Sequence, residues 1–388
     1  MQGSLAALGI VLGAAAAAYA VLAALATVLA LARSRRPAPP LAPTPLAGAA
    51  APGVTVLKPL CGDEPRLYER LCSICVQDYR PFQIIFGLHS AADSALPVAR
   101  RVQQQFGALD IECVIDPTRH GVNAKVSNLL NMLPRAKHEL LVIADSDIEV
   151  TPDFLRRVVA PLADPCVGLV TCGYTGQPRP GWWSALGAQF INAWFMPSVY
   201  VASMFGSQWF VSGATMALRR ELLTRGRGLN GLADRLAEDF LLGAQVRGQG
   251  QNVVLSEMQV RTLVDEPSLG ALCRHCLRWL RTIRSVRLWA YAGCLFTFSL
   301  PLAAFGAALD RFQPGALRLC AVTIASRLVL HFAGQRDGPR ERWRQLGLIP
   351  LHDALLFGLW LWGFGGREVS WRQERFGIGR QGSLYRVP

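Results

Sequence analysis

The stretch "VIADSDIEV", residues 142–150, decides the fold class of this chain. An apolar run typical of a buried strand ends there in Asp145 and Asp147. Because side chains alternate along a strand, an Asp-x-Asp pair directs both carboxylates to the same side. Two like charges so close need a counter-ion, and a hard cation with oxygen ligands, Mg²⁺ or Mn²⁺, often brings a phosphate ligand with it. The alternative is a solvated loop or a helix N-cap.

Short apolar runs and helical stretches alternate around this strand from Val54 onwards. The predicted strands are "VTVLKPL" (54–60), "FQIIFGL" (82–88), "IECVID" (111–116) and "ELLVIADSD" (139–147), and the predicted helices are Pro65–Val76, Pro97–Gly107, Val122–Arg135 and Pro152–Leu162. This alternation predicts an α/β, Rossmann-like domain with a mostly parallel sheet. Ligands of such sheets bind outside the carboxyl ends of the strands, which is where Asp145 and Asp147 fall.

The composition indicates membrane segments around one soluble domain. The 388 residues are 51% hydrophobic and only 17% charged. Residues 4–32 contain no charge and are long enough to cross a bilayer, so residues 1–36 are predicted to form an uncleaved anchor. A cleaved signal peptide fits less well, because no basic residue precedes the run and the run is too long. Arg33, Arg35 and Arg36 follow, which predicts that the next domain faces the cytoplasm.

Residues 37–53 form a Pro/Ala-rich linker, and residues 54–267 are predicted to be the cytoplasmic domain. About three C-terminal membrane helices are predicted within residues 288–366, at roughly 288–309, 316–333 and 346–364. The second and third contain Arg327, His331, His352 and Asp353, and are therefore weaker spans. Three crossings would place the basic tail, residues 367–388, outside, against the positive-inside preference. Either one span is re-entrant or the tail departs from the rule.

The basic residues crowd beside the apolar spans. The net charge is +13, and the arginines cluster in residues 33–36, 274–287, 336–344 and 367–386. This distribution favours anionic lipid headgroups over nucleic acid as partners. Ten cysteines are scattered through predicted strands, helices and spans, which predicts free thiols in a reducing compartment. The pairs Cys72/Cys75 and Cys273/Cys276 lie in predicted helices without a turn, which disfavours a zinc site.

Two further stretches concern the membrane. Arginines alternate with apolar residues at helical spacing in residues 268–287, which predicts an amphipathic interfacial helix that brings Arg278 and Trp279 to the headgroup level. Residues 180–218 hold no charged residue but several aromatic ones, including Trp194. Such a stretch is consistent with a lipid channel or interface that binds the acceptor, or with a buried domain core.

Four motifs occur in a fixed order: "HSAADSA" (89–95), "ADSD" (144–147), "AEDF" (237–240) and "HCLRW" (275–279). In this order they resemble the nucleotide-sugar glycosyltransferases of the GT-A fold, in particular the ceramide glucosyltransferase family. The resemblance is closer still to the hopanoid-biosynthesis-associated glycosyltransferases of bacteria. It is carried by "VTVLKPLCG", "FQIIFG", "RHGVNAKVSNLLNM", "VGLVTCGY", "FINAWFMPS" and "RHCLRWLRTIR", and it covers residues 50–300 and, in outline, the anchor and the tail.

The resemblance implies a role for each aspartate. Asp93 would contact the nucleotide base and ribose, Asp145 would approach the sugar and ribose, and Asp147 would be the main metal ligand, with Asp145 beside it. Asp239 would be the catalytic base. The last motif of the family is Gln- or Arg-x-x-Arg-Trp, so Arg278 and Trp279 match it.

The departure from the family falls at His275, which takes the first place of that last motif. Three residues, His275, Glu238 and Trp194, are predicted to contact the acceptor or the diphosphate. The alternative for Glu238 is a solvated or capping carboxylate. Lys125 is predicted to steady the nucleotide or its phosphates, and its alternative is plain helix surface.

The chemistry can be reasoned from the residues themselves. A sugar leaving a nucleoside diphosphate passes through an oxocarbenium-like state while negative charge builds on the diphosphate. A Mn²⁺ or Mg²⁺ ion on the Asp-x-Asp pair and an arginine such as Arg278 would neutralise that charge. The acceptor hydroxyl must lose its proton as it attacks from the opposite face, and Asp239 is the predicted base.

The expected protein is a multi-pass inverting glycosyltransferase of the bacterial inner membrane, with its catalytic domain facing the cytoplasm. It would transfer a sugar from a UDP-sugar, UDP-N-acetylglucosamine by resemblance, to a lipid hydroxyl of a hopanoid such as bacteriohopanetetrol. The alternatives are a ceramide glucosyltransferase that uses UDP-glucose, a processive polysaccharide synthase and a non-catalytic lipid-binding protein. The motif chemistry alone specifies neither sugar nor acceptor.

Overall fold

The computed structural model describes residues 2–37, 51–62, 64–225, 227–334, 339–371, 374–379 and 382–387. Most of the predicted linker, residues 37–53, therefore lies outside the described residues. The fold is mixed α/β, with one central sheet, an apolar N-terminal helix and a group of C-terminal helices.

The central sheet has eight strands. They are β1 (Val54–Pro59), β2 (Phe82–Leu88), β3 (Asp110–Ile115), β4 (Leu140–Ala144), β5 (Ile148–Glu149), β6 (Val167–Pro178), β7 (Thr215–Arg219) and β8 (Asn252–Val264). Their order is β3-β2-β1-β4-β7-β6-β8-β5. Strands β1 to β4 are parallel to one another, as predicted. Strand β7 runs antiparallel to β4 and β6, and β5 runs antiparallel to β8, so the sheet as a whole is mixed.

Among the described residues, nine α-helices belong to this domain or lead out of it. They are α2 (Leu67–Cys75), α3 (Ala95–Gln105), α4 (Ala124–Met132), α5 (Phe154–Val159), α6 (Trp182–Gln189), α7 (Met196–Met204), α8 (Glu221–Thr224), α9 (Glu238–Gly248) and α10 (Leu269–Val286). A π-helical segment, Phe190–Phe195, joins α6 to α7. Because helices cover both faces of the sheet, β1 and β2 are buried along their whole length. Val56 and Leu57, adjacent on β1, therefore belong to two different core clusters.

The N-terminal helix α1 (Gln2–Ser34) packs against two C-terminal helices, α12 (Ser299–Leu309) and α13 (Pro314–Gly334). Gly9 and Gly306 meet backbone to backbone, and a Cβ on Gly306 would lie only 2.6 Å from the carbonyl oxygen of Gly9. Because glycine has no side chain, the two helix backbones can approach closely here, as in membrane helix pairs.

Helices α12 and α13 form a hairpin beside α1. Further along α1 from the Gly9–Gly306 contact, Ala16 packs against Leu302 and Ala303, so α12 runs antiparallel to α1. Gly13 lies beside Leu319, whereas Ala23 and Ala24 pack against Leu330, so α13 runs parallel to α1. The end of α13 therefore returns to the end of α1 that carries Arg33.

The number of membrane helices differs from the prediction of about three C-terminal spans. By length and apolar composition, two helices among the described residues could cross a membrane, α1 and α13. The predicted span at 288–309 is broken into α11 (Leu288–Gly293), a short 3₁₀ turn and α12, with a 67° bend between its halves. It makes a third span only if the bent pair is counted as one. The last predicted span is α15 (Leu348–Gly363), which has 16 residues and is short for a crossing.

Helix α10 lies where the interfacial helix was predicted, but its arginines have protein partners. The guanidinium of Arg284 donates hydrogen bonds to the carbonyls of Gly363 and Gly366, where α15 ends, at 2.7 and 2.5 Å. Arg281 donates to the carbonyl of Glu368 at 2.6 Å. The unpaired carbonyls at a helix C-terminus attract cations, so part of the basic face binds the chain itself rather than headgroups.

The predicted basic tail is folded. After α14 (Pro339–Leu346) and α15, it forms a three-stranded antiparallel sheet of β9 (Glu368–Trp371), β10 (Glu374–Ile378) and β11 (Leu384–Arg386). Leu236, in the loop before α9, joins the apolar cluster of this small sheet.

Candidate active site

Asp145 and Asp147 lie where β4 ends, at the carboxyl edge of the parallel strands. Oδ1 of Asp145 is 2.6 Å from Nζ of Lys125. Oδ2 of Asp147 accepts a hydrogen bond of 2.7 Å from the hydroxyl of Thr262, on β8. Burial raises the pKa of Asp145, although the Lys125 charge opposes this. The two carboxylates predicted from "ADSD" are thus held by different neighbours.

Lys125 connects the Asp-x-Asp pair to the predicted catalytic region. Its ammonium group lies 3.3 Å from Oε1 of Glu238 and donates to the carbonyl of Gly213 at 3.1 Å. Burial alone would lower the pKa of Lys125, but Asp145 and Glu238 outweigh burial and raise it above its usual value. Lys125 is therefore an internal cation of the site, and the alternative of plain helix surface does not describe it.

Asn123 sets the start of the helix that carries Lys125. Its side-chain oxygen accepts a hydrogen bond of 3.1 Å from the amide of Val126, which is an N-cap interaction for α4. Its Nδ2 donates to the carbonyl of Arg235 at 2.8 Å and to Oε2 of Glu238 at 3.3 Å. The cap therefore also ties α4 to the segment before α9.

Asp239 opens α9, and its carboxylate accepts two backbone hydrogen bonds. Oδ2 accepts from the amide of Gly213 at 2.8 Å and Oδ1 from the amide of Phe240 at 2.7 Å. Burial, and then the negative charge of Glu238, raise the pKa of Asp239 to about 7. A carboxylate with a pKa near neutrality can accept a proton during turnover and release it again.

Glu238, the neighbour of Asp239, is buried. It is 8% exposed and is bound by Lys125 and Asn123, so it is neither solvated nor a simple cap. A buried carboxylate that has both a cation and a hydrogen-bond donor is satisfied where it stands. Its position suits a role in holding Lys125 more than direct contact with the acceptor or the diphosphate.

Arg278 lies near this group of charges on α10. Burial lowers the pKa of Arg278, while the nearby acidic groups, Glu238 foremost, oppose that effect. One turn earlier, Nδ1 of His275 hydrogen-bonds the carboxylate of Glu266. His275 therefore has a fixed partner in the protein, which orients its ring beside that of Trp279.

Trp279 lies within an aromatic cluster that extends to the C-terminal helices. Its ring is 5.5 Å from that of Phe190, which is 5.2 Å from that of Trp194. Trp194 in turn stacks on Phe298, beside α12, at 5.7 Å, and its Nε1 donates to the hydroxyl of Thr297 at 2.8 Å. Trp194 thus lies at the junction of the α/β domain and the apolar helices.

Asp93 lies apart from these charges, at the start of α3. Its Oδ1 accepts hydrogen bonds from the amide of Gly62, in the loop after β1, at 2.8 Å and from the amide of Ala95 at 2.9 Å. Both loops follow the carboxyl ends of parallel strands, so Asp93 is at the same edge of the sheet as Asp145. Its contact with a nucleotide stays a prediction.

Three residues of the site were not predicted from the sequence. Lys58 is 1% exposed on β1 and donates to the carbonyl of Asp145 at 2.6 Å; burial lowers its pKa to about 8, although Asp147 and Asp145 oppose this. A charged residue inside the apolar run "VTVLKPL" was the available signal. Thr262 and Gly213 gave no signal, because their partners are distant in the chain.

The residues of the Asp-x-Asp pair fit a divalent cation. Asp147 has a second carboxylate oxygen in addition to the one bound by Thr262, and Asp145 has a second oxygen in addition to the one paired with Lys125. Within the described ranges, no three His, Cys, Asp or Glu side chains are grouped for a metal. Proteins nevertheless usually bind Mg²⁺ through only one or two carboxylates, because substrate phosphates and water supply the other ligands. Asp147 and Asp145 would hold such a cation, which would neutralise charge on a diphosphate.

Comparison with known proteins identifies the family. The model of glycosyl transferase family 21 matches residues 14–384. The chain belongs to this family. Among curated family 21 relatives, it is 23% identical to ceramide glucosyltransferase 3 of Caenorhabditis elegans over 59% of this chain and 50% of the relative. It is 25% identical to the ceramide glucosyltransferase of Pyricularia oryzae over 66% of this chain and 61% of the relative. The chain thus spans about half to three fifths of the length of these relatives.

A solved glycosyltransferase structure is similar to the family 21 chain over most of its length. The mannosyltransferase PcManGT from Pyrobaculum calidifontis, in complex with GDP-Man and Mn²⁺, has 23% sequence identity and a TM-score of 0.50. The match covers 93% of this chain and 99% of that one. The likeness supports the predicted GT-A type fold.

Proposed function

We propose that this family 21 chain is an inverting glycosyltransferase that transfers a sugar from a UDP-sugar to a hydroxyl of a lipid. One observation carries the proposal. Lys125 bridges Asp145, of the Asp-x-Asp pair, to Glu238, the neighbour of Asp239. A cation site for the diphosphate and a carboxylate with a pKa near 7 are thereby joined in a single cluster.

Each residue would have a defined task in the transfer. Asp147, with Asp145, would hold the divalent cation that the donor requires, Mn²⁺ or Mg²⁺. Arg278 would neutralise charge that develops on the leaving diphosphate, and Lys125 would steady the phosphates. Asp239 would take the proton of the attacking hydroxyl, which forms the new glycosidic bond as the bond to the diphosphate breaks. One base and attack from the opposite face give inversion at the anomeric carbon.

The lipid nature of the acceptor is supported by the aromatic cluster. It extends from Trp279, beside Arg278, to Phe298, which in turn lies 5.5 Å from Trp360 of α15. The α/β domain also binds the anchor directly, since Tyr19 of α1 and Ser198 of α7 share a hydrogen bond of 2.8 Å. The candidate site would therefore open where the apolar helices begin, and Trp194 at this junction would face the acceptor.

The identity of the acceptor is proposed from relatives. The curated relatives are ceramide glucosyltransferases, which supports ceramide as acceptor and UDP-glucose as donor. The resemblance of "RHGVNAKVSNLLNM" and "FINAWFMPS" to the hopanoid-associated glycosyltransferases suggests a second candidate, a hopanoid such as bacteriohopanetetrol that would receive N-acetylglucosamine. Both reactions would use the same carboxylates.

The proposed location is the cytoplasmic face of a bacterial inner membrane. Arg33, Arg35 and Arg36 at the end of α1 favour the cytoplasm. The hairpin of α12 and α13 returns the chain to that same side, so the basic tail would also be cytoplasmic. Two crossings by this hairpin, with the short α15 not crossing, would thereby satisfy the positive-inside preference that three C-terminal crossings would violate. A processive polymer synthase fits this small set of helices less well.

The test is mass spectrometry of the lipid product. Purified protein with Mn²⁺ or Mg²⁺ is mixed with UDP-glucose or UDP-N-acetylglucosamine, and with ceramide or bacteriohopanetetrol in separate reactions. A hexose on ceramide alone would identify the first candidate, and an N-acetylhexosamine on the hopanoid alone the second. A ladder of longer sugars would point to a polymer synthase. An absence of product in all four pairings would count against both candidates.

A further inference from the structure

The C-terminal sheet β9–β11 contacts the segment that leads into the candidate base. The amide of Leu236 donates to the carbonyl of Gly382 at 3.0 Å, and the amide of Leu384 donates to the carbonyl of Asp234 at 2.8 Å. Arg235 and Ser383 form an antiparallel bridge between these two bonds. Residues 234–236 are therefore joined to the tail by an isolated antiparallel bridge, shortly before Glu238 and Asp239.

The other side of the same segment is bound by the loop that leads into α4. The amide of Asn123 donates to the carbonyl of Ala233 at 2.7 Å, and the amide of Val122 donates to Oδ1 of Asp234 at 2.7 Å. Asn123 Nδ2 also donates to the carbonyl of Arg235. Residues 233–236 thus lie between the start of the Lys125 helix and the tail, so a shift of the tail would be transmitted to both.

The tail also rests on α10, the helix of Arg278. A Cβ on Gly382 would lie 3.3 Å from Oγ of Ser285 and 3.6 Å from Cγ1 of Val286. Gly382 has φ +72°, a conformation that side chains other than glycine rarely adopt. At the other end of the tail, Arg281 holds the carbonyl of Glu368. One small sheet thereby contacts both α10 and residues 233–236.

We propose that the C-terminal sheet is a positioning element that sets the placement of Asp239 and Lys125 relative to Arg278. The proposal rests on the function proposed above. Its central contacts are the two backbone hydrogen bonds and the packing of Leu384 and Leu236, which are 5% and 6% exposed. No tail residue would touch the substrate in this role. The tail instead fixes the position of the segments whose side chains would contact the substrate.

The test uses full-length protein with single changes in β11 and the turn before it. Leu384→Ala removes a buried contact with Leu236, and Gly382→Ala strains the turn that accepts the Leu236 amide. The matched control is Arg386→Ala, on the same strand. The Arg386 side chain is 65% exposed, and its ion pair with the exposed Glu374, at 3.6 Å, contributes little to stability. Leu384→Met keeps the apolar volume and serves as the conservative variant.

The expected result is a loss of turnover without loss of donor binding. We expect kcat to fall about tenfold to 10²-fold in Leu384→Ala and Gly382→Ala, because small misplacements of reacting groups are costly. The KM for the UDP-sugar should change less than kcat, and the acid limb of the kcat profile should shift as the surroundings of Asp239 change. Arg386→Ala and Leu384→Met should resemble the wild type.

Two results would overturn this inference. One is wild-type kcat and an unchanged pH profile in both Leu384→Ala and Gly382→Ala. The other is a fall in kcat that is fully explained by a smaller fraction of folded protein, as measured by thermal unfolding, while the pH profile stays unchanged. If instead the wild type transferred no sugar, the proposed function itself would have failed, which separates the two outcomes.

Discussion

Oδ2 of Asp239 accepts a hydrogen bond of 2.8 Å from the amide of Gly213, the residue whose carbonyl is bound by Lys125. A single glycine therefore holds both the candidate base and the cation beside it. A Cβ at this glycine would lie 3.0 Å from Nζ of Lys125 and 3.2 Å from Oδ2 of Asp239. A side chain at position 213 would therefore press on both the candidate base and the cation.

Asp239→Asn should abolish most turnover while donor binding persists. The amide keeps the shape and can still accept the Gly213 hydrogen bond, but it cannot take a proton. We expect kcat to fall about 10²- to 10⁴-fold, measured as product formation by mass spectrometry, with UDP affinity by calorimetry within a few-fold of the wild type. Glu257→Gln, on an exposed carboxylate, is the control. Wild-type turnover in Asp239→Asn would exclude this residue as the base.

The pH dependence of turnover should reflect the same carboxylate. Because burial and Glu238 raise the pKa of Asp239 to about 7, kcat should rise between pH 6 and 8 as the base ionises. A profile that is flat down to pH 5 would contradict the role. The measurement is kcat at saturating donor and acceptor across this range.

Fold stability should change with pH in the opposite direction. The folded protein holds the Asp239 proton more tightly than the unfolded chain, whose aspartates titrate near 3.8, so the stability due to the protonated form is present at low pH and is lost as the pH rises through 7. Asp239→Asn has no charge to bury. Its melting temperature relative to that of the wild type should therefore increase from pH 5 to pH 8, as measured without donor or metal.

Metal dependence should be sensitive to the hydroxyl that orients Asp147. Thr262→Val keeps the shape of the side chain but removes the hydrogen bond to Oδ2. We expect the Mn²⁺ concentration for half-maximal activity to rise about 10- to 100-fold, as is usual when a residue that hydrogen-bonds a metal ligand is replaced. Thr175→Val is the control, because its hydroxyl binds Gln259 instead. Excess chelator should abolish transfer by the wild type, and undiminished activity in chelator would exclude the metal role.

Arg278 should not be replaceable by lysine. A planar guanidinium can bind two diphosphate oxygens at once, whereas an ammonium group is a single point charge. We expect Arg278→Lys to lower kcat by about 10²-fold, as for the loss of one group that stabilises developing charge. Arg274→Lys, one turn earlier on the exposed side of α10, should have little effect and is the control. Equal effects of the two changes on kcat would contradict a specific role for Arg278.

The buried ion pair of the C-terminal helices should be costly to break. Arg327 on α13 contacts Oδ1 of Asp353 on α15 at 2.6 Å, and both side chains are under 10% exposed. Asp353→Asn leaves the arginine unpaired, which should destabilise the fold by roughly 3–5 kcal/mol. Arg327→Met combined with Asp353→Leu should regain much of this loss. Thermal unfolding in detergent provides the comparison, and additive losses in the double variant would contradict the coupling.

The sequence alone was sufficient to predict the parallel half of the sheet, strands β1 to β4. The runs at β1, β2 and β4 are continuous and apolar because helices cover both faces, and the Asp-x-Asp pair had to follow β4. The other half, β5 to β8, in which the antiparallel pairs and the parallel pair of β6 with β8 lie, was not predicted. Strand β8 has 13 residues with polar side chains at intervals, such as Glu257 and Arg261, and its pairing with β6 is set by tertiary packing.

Side-chain partners were harder to predict than positions. Lys125 could be placed on a helix, but its contacts come from β4 and α9, which the chain supplies later. Hydropathy likewise indicated an apolar segment at α15, but it could not distinguish a spanning helix from a short one packed on α10 and paired with Arg327. The folded tail was missed because its charge pattern is typical of a solvated end.

The contact between Gly9 and Gly306 has a consequence for how the chain is made. The surface that covers the glycine face of α1 is almost three hundred residues away and is synthesised only after the whole α/β domain. Until α12 is made, this small-residue face lacks its partner and is open to packing by another helix. The contact between α1 and α12 therefore forms late in synthesis, and a chain that stops before α12 would leave the small-residue face of α1 uncovered.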